Sequence, residues 1–363
     1  MKKYILLFGI LAIIGLGMIV TYTLFPSAPI EGNGNNNVTI TPIEELQAST
    51  SSKPIEKKEN SDVNEADEEV PPILIYSIKV PITKANISVY TKIPKVPDKM
   101  MVYKVNNNNI TREYVIELAK RFEMKVNNLT EDTKYGFYII DRPFELEVEK
   151  SGAIHYADWT RIYGKEYNPQ FPSDDEAINA TKKFLTEKNL IDGAKFSGVI
   201  RDEGEIAIWN PQTKEVTYKN ETTEMQVFFN YEIDGVPVVG GCRLQVYIGD
   251  KNKNNGIIGF FKVYRNYTSW ESFKIRTPNE ALDVLKKIGI HSTAWPNPVK
   301  EAKVKNMYLA YYTQPAVDVQ EYIQPIYVFE IEADTGDKIE KIEEYIPAIP
   351  QPNEYSNATY SEY

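Results

Sequence analysis

A single cysteine, Cys242, in 363 residues excludes an internal disulfide framework and any zinc or iron–sulfur centre built on several thiolates. Two histidines, His155 and His291, leave little material for a histidine-rich metal site or a relay of proton shuttles. Basic residues are outnumbered, 41 Lys and Arg against 51 Asp and Glu. The net charge of −10 argues against a nucleic-acid partner, because nothing would neutralise a phosphate backbone. Also missing are H-E-x-x-H, G-x-S-x-G, a Walker loop and G-x-G-x-x-G. No cofactor or metal is implied. A nucleophilic Cys242 would need an adjacent base, whereas Gly240-Gly241-Cys242 before a strand reads more simply as close packing of small residues.

Long apolar runs are equally scarce, with one exception. After Met1-Lys2-Lys3, the segment Tyr4 to Phe25 contains no charged side chain over 22 residues. As a helix it would rise about 33 Å, enough to cross a ~30 Å hydrocarbon core. Its positive flank lies only on the N-terminal side, which predicts a cytoplasmic N-terminus with the remainder outside the cell membrane. The competing reading is a cleaved signal peptide. Against it, the run exceeds an ordinary apolar h-region, and Pro26-Ser27-Ala28 lacks an A-x-A pattern and is followed by Pro29.

Sequons agree with an outside location. N-x-S/T occurs at Asn37, Asn86, Asn109, Asn128, Asn179, Asn220, Asn266 and Asn357. With 28 Asn and 38 Ser and Thr in the chain, composition alone accounts for about three. All eight lie beyond the apolar run, as glycosylation requires. An Asn- and Thr-rich genome that makes sequons by composition is the alternative.

Composition divides the chain. Residues 1–25 read as a transmembrane anchor. Residues 26–70 are rich in Asn, Ser, Glu and Pro and cannot bury enough surface to offset their ordering entropy, which predicts a tether. The expected folded part comprises a first domain over 71–165 and a second over 166–347. The proline-punctuated 348–363 is a tail.

Within the folded part, amphipathic helices alternate with strands. One helix starts near Thr111, with Tyr114, Val115, Leu118, Ala119 and Phe122 on one face. A second starts at Ser173, where Ser173 and Glu176 form a capping box. A third starts at Thr277-Pro278-Asn279-Glu280 and ends at Gly289. Met225, Val227, Phe229, Tyr231 and Ile233 alternate with more polar residues, a half-buried strand that Asp234-Gly235 turns into a hairpin. Leu244, Val246 and Ile248 continue it. Tyr327, Phe329, Ile331 and Ala333 alternate before a turn at Asp334-Thr335-Gly336-Asp337. Helices between hairpins predict an α+β fold of antiparallel sheets with a recurring helix-plus-strands unit.

The order of these elements, from the capped helix at Ser173 through Phe228-Asn230-Tyr231, Asp234-Gly235-Val236-Pro237-Val238, the capped helix at Thr277, Leu309-Ala310-Tyr311-Tyr312 and Gln324-Pro325-Ile326-Tyr327-Val328-Phe329 to Asp334-Thr335-Gly336, resembles the YycI/YycH-type regulatory proteins. More loosely, it is similar to the PepSY-like modules of peptidase propeptides. The resemblance spans about residues 173–345. It implies one N-terminal membrane anchor, an extracytoplasmic domain and modulation of a sensor histidine kinase.

Other candidates are weaker. Asp250-Lys251-Asn252-Lys253-Asn254-Asn255-Gly256 begins like a calcium loop, but its twelfth position is Phe261 where a bidentate Glu belongs, so it reads as a hairpin loop. His155 and His291 read as structural. Tyr156, Trp159, Tyr163 and Tyr167 cluster in a chain with 25 Tyr. They read as sheet packing before glycan or peptide binding. The leading expectation is a membrane-anchored, extracytoplasmic, non-enzymatic protein that binds and modulates another envelope protein. Alternatives are a glycosylated structural or adhesive surface protein, and a hydrolase using a carboxylate pair.

Overall fold

The computed structural model describes residues 70–73, 75, 82–106, 110–159, 170–210, 212–252, 256–291 and 299–351. The anchor, nearly all of the tether, most of the tail, Tyr163, Tyr167 and the sequons at Asn37, Asn109 and Asn357 lie outside them. No helix among the described residues is long and apolar enough to cross a membrane.

Strands dominate. A mixed sheet contains β2 (Asn86–Val89), β3 (Lys99–Val105), β10 (Glu232–Ile233), β11 (Val236–Gly240), β14 (Tyr267–Lys274), β16 (Glu301–Thr313), β17 (Tyr322–Asp334) and β18 (Ile339–Pro347). Its path runs β10-β11-β16-β17-β3-β14, with β18 on β17 and β2 on β16. β11 and β2 pair parallel to β16, and the other ladders are antiparallel. The second sheet is antiparallel throughout. It contains β4 (Leu129–Asp132), β5 (Gly136–Asp141), β6 (Phe144–Glu149), β7 (Ile154–Asp158), β8 (Lys195–Asn210), β9 (Glu215–Asn230), β12 (Arg243–Ile248) and β13 (Ile257–Val263). Its order is β4-β5-β6-β7-β13-β12-β9-β8. β1 (Ile82–Thr83) and β15 (Ile290–His291) form a small separate pair. Each large sheet takes strands from both sides of residue 165.

Three helices are described: α1 (Arg112–Arg121), α2 (Asp174–Glu187) and α3 (Pro278–Ile288). Each begins where its capping residue predicts. The Thr111, Ser173 and Thr277 hydroxyls accept from the backbone N–H three residues on, and both S/T-x-x-E boxes are closed by the Glu carboxylate. Gly289 ends α3 with φ 108°. Phe122, at the end of α1, stacks over Tyr156 and Phe260, and Phe184 of α2 lies tilted against Phe260, which places both helices on one face of the antiparallel sheet. α3 packs on β18 of the mixed sheet. Tyr114 departs from the expected inward face and stands exposed.

The α+β expectation with a recurring unit is corrected: the protein is mostly β, and its described residues form two eight-stranded sheets and three short helices. The capping signals are local and hold, but each helix leads into a different arrangement of strands. α1 leads into a four-strand meander, α2 into a pair of sixteen-residue strands, and α3 into the long strands of the other sheet. No unit repeats.

The strand periodicity holds on one face and fails on the other. Met225, Val227, Phe229, Tyr231 and Ile233 are all buried as expected. So are Gln226 and Gln245 on the opposite face, where the two amides hydrogen-bond each other. β17 is buried on both faces. Tyr327, Phe329, Ile331 and Ala333 enter the main core, while Ile326 and Val328 join a second cluster with Ile73, Ile75 and Tyr312. The continuous run Ile326-Tyr327-Val328-Phe329 is the sequence counterpart of that double burial.

Candidate functional site

The chain passes between the sheets at a junction, or waist, made by successive crossings. Near Tyr231 it leaves β9 for β10, near Gly241 it returns from β11 to β12, and near Arg265 it leaves β13 for β14. The Asp234-Gly235 turn has φ of 52° and 79°, the double positive pair of a tight hairpin. That hairpin joins only β10 and β11; β12 pairs with β9 in the other sheet. The expected single long hairpin is therefore split across the waist.

Tyrosines fill this crossing. The Tyr103 ring meets Tyr267 edge-on at 5.1 Å and Tyr311 at 5.3 Å, and Tyr231 lies 5.0 Å from Tyr264. The Tyr103 hydroxyl donates to the Asp234 carboxylate. Burial, then that carboxylate, hold the Tyr103 phenol far above its ordinary range, and burial pushes Tyr311 up to about 12. Both therefore act as neutral donors. Lys262 is buried and paired with Asp192, and burial lowers its pKa against the pull of that carboxylate. Asp192 itself has φ 37°.

Arg265 spans the waist. One guanidinium nitrogen donates to Ser151 O at 2.6 Å, the other to Pro315 O at 3.0 Å and Asp318 O at 2.8 Å. Three carbonyls thus engage the terminal nitrogens of a buried charge and tie the turn after β6 to the loop after β16. Gly240 and Gly241 let the backbone pass against Thr313 and Gln314, since a Cβ at either would overlap their carbonyl oxygens. The close-packing reading of Gly240-Gly241-Cys242 holds. Cys242 is buried and its thiol is pushed up by burial, and its N–H donates to the Thr313 hydroxyl at 2.8 Å.

These crossings enclose a cavity of about 160 Å³. Its rim includes exposed Asp192, Gly193 and Glu232, and its floor includes buried Tyr231, Cys242 and Thr313. A larger open groove, about 470 Å³, runs beside α3 between Arg276, Asp283 and Lys287.

The other sequence candidates lie apart from the waist cavity. Glu145, Glu147 and Glu149 line one face of β6, and Glu147 pairs across the ladder with His155. Burial, then Glu147, push Glu149 up to about 7 against the pull of Arg265. Burial also raises Glu147 and lowers His155. These three carboxylates line neither cavity. His291 Nδ1 lies 2.8 Å from Glu344 Oε2, and the His291 backbone N–H donates to Oε1 of the same carboxylate at 2.5 Å. Burial disfavours the charged ring, but the Glu344 hydrogen bond and the charge of that carboxylate together outweigh it, and the pKa is raised. The Asp250 loop makes local turns, with Asp250 accepting from Asn252 N at 3.0 Å. Tyr156 is core, and Trp159 Nε1 donates to Glu145 at 2.7 Å. The sequon asparagines Asn86, Asn128, Asn179, Asn220 and Asn266 are all exposed. No cluster of three or more His, Cys, Asp or Glu able to hold a metal occurs among the described residues. Sequence reasoning missed Arg265, Lys262 and the tyrosine crossing, because their partners lie 50 or more residues away.

Neither a family model nor a curated protein matches the sequence. Two solved structures are similar at low identity. An uncharacterized protein from Eubacterium rectale is 14% identical, covering 73% of this chain and 89% of its own, with a TM-score of 0.36. YycH from Bacillus subtilis is 12% identical, covering 69% of this chain and 53% of its own, also with a TM-score of 0.36. The match thus spans about half the length of that YycH chain, and the likeness to YycH is weak.

Proposed function

We propose that this protein is tethered to the cell membrane by its N-terminal apolar run and binds another envelope protein outside the cell, modulating it without catalysing a reaction. One observation carries the binding role. β8 is an edge strand over sixteen residues, and β9 pairs with β12 only through Met225–Phe229. Beyond that stretch the two strands continue as a ribbon with no third strand among the described residues, and an isolated two-stranded ribbon is marginal in water. Val216 and Tyr218 stand exposed on it. Such an edge accepts an added strand from a partner. Placement outside the cell is supported by the uncharged run after Lys2-Lys3 and by the exposed sequons. Glycosylation at those asparagines belongs to the same proposal.

The test is recovery of the tagged full chain from solubilised membranes. A stoichiometric partner is the expected result. A variant in which residues 204–221 are replaced by a short turn should lose that partner while melting as the parent does. Recovery of the bait alone, or a partner retained by the shortened variant, would overturn the reading.

A further inference from the structure

Residues two apart on a strand share a face, with about 7 Å between them. Along β9 this places Val216, Tyr218 and Asn220 on one face of the ribbon, and Asn220 opens the sequon Asn220-Glu221-Thr222. All three are exposed, Val216 at 45% and Tyr218 at 66%. Neither Tyr218 nor Asn220 makes a side-chain hydrogen bond or a ring contact among the described residues. An aromatic ring this exposed beside a strand edge invites association unless something covers it.

The other described sequons lack that arrangement. Two residues before Asn86 stands Lys84, and two before Asn128 stands Val126, which is partly buried against the core. Asn179 lies in α2, where residues two apart do not face each other. Asn266 does follow a tyrosine at the same spacing, but that ring, Tyr264, packs on Tyr231 at the waist. Among the described sequons, only Asn220 has a free ring beside it. A cover attached there leaves the edge accessible. Side chains stand perpendicular to a sheet, whereas the unpaired N–H and C=O groups of β8 lie in its plane.

We propose that Asn220 carries an N-linked glycan whose first sugar packs on the Tyr218 ring, closing the Val216–Tyr218 face of the ribbon and leaving the β8 edge open. The inference rests on the reading of the chain as glycosylated outside the cell and adds what one glycan does there. The transfer joins Asn220 Nδ2 to C1 of a sugar activated on a phosphate-linked carrier. The C1–O bond breaks, the phosphate leaves with its electron pair, and the amide gives up one proton to a base of the transferring enzyme. The C–H face of the sugar then meets the aromatic face of Tyr218, with the sugar hydroxyls directed to water.

Glycopeptide mass spectrometry of the full chain purified from the cells that make it, followed by amide hydrogen exchange, tests this. Asn220 should be occupied. Asn220→Gln should speed exchange of the ribbon amides about two- to tenfold, the scale of one aromatic contact. In a Tyr218→Ala background the same change should have no effect, and in a Tyr218→Phe background it should act as in wild type. Both positions are exposed, so these variants leave the core intact. Bare asparagine at every sequon would overturn the proposal together with the glycosylation it rests on. An unmodified Asn220 beside other occupied sequons would overturn the proposal alone, as would an occupied Asn220 whose loss speeds exchange equally with and without the Tyr218 ring.

Discussion

Glycines at two turns of the waist separate two kinds of backbone constraint. Gly235 has φ 79° with no atom near its absent Cβ, so its requirement is conformational alone. Gly235→Val should cost roughly 1–3 kcal/mol, the scale of a strained backbone. Gly240 has φ 88° and in addition faces the Thr313 carbonyl, so even Gly240→Ala should cost more than Gly235→Ala. Thermal melts of the variants check that order. At Glu149 the question is pH. Its folded carboxyl, pushed up to about 7 from an ordinary 4.5, keeps its proton where the unfolded chain has lost it. The folded state then binds more protons across that window, and stability falls as pH rises from about 4.5 to about 7. The loss should be on the order of 3 kcal/mol. His291, with its raised pKa, gives a loss of the same sign beginning near its ordinary value of 6.5. Urea unfolding of Glu149→Gln should therefore show a profile flattened between about pH 4.5 and about pH 7, leaving the fall that begins near 6.5 to His291. An unflattened profile would mean that Glu149 ionises normally.

Among the elements, α3 shows how far local signals carry. Its capping box, Pro278 at the first turn and Gly289 at the end are all in the sequence and all in place. Removing the cap with Thr277→Ala should cost about 1 kcal/mol, read as a lowered urea midpoint with an unchanged slope. The strands were legible in a different degree. Alternation located β9, β12 and β17 and marked the residues that face the main core. It did not show that Gln226, Gln245, Ile326 and Val328 are buried on the other side, because two-sided burial depends on elements that arrive from elsewhere in the chain. Nor did it show that β9 runs past its neighbour. Sixteen residues of strand look alike in sequence whether two neighbours flank them or one.

Across the whole molecule, the sheets are coupled by the chain itself, by Arg265 and by the tyrosine crossing. With repeated passages between them, neither sheet can unfold while the other keeps its strands. Unfolding should therefore be a single transition, with tryptophan fluorescence and far-ultraviolet circular dichroism giving the same midpoint. Two separated transitions would show that the sheets are independent. Arg265→Met should lower that common midpoint, at a cost of about 3 kcal/mol or more, because it leaves the Ser151, Pro315 and Asp318 carbonyls without their charged donor.

Composition, capping residues, turn dipeptides and periodicity determined where helices begin, where hairpins turn and which residues face the main core, because each depends on neighbours within about five positions. The expectation of a membrane anchor, a tether and sequon use rests on the same local reading. Tertiary structure alone decided that the protein is mostly β, that β9 and β11 belong to different sheets, and that Tyr103, Lys262 and Arg265 share a waist with a cavity. Those facts arise from long-range pairing such as Tyr103 with Asp234, 131 residues apart, and Arg265 with Ser151, 114 apart. Such pairs are fixed by the packing free energy of the whole chain, to which no single segment carries the key.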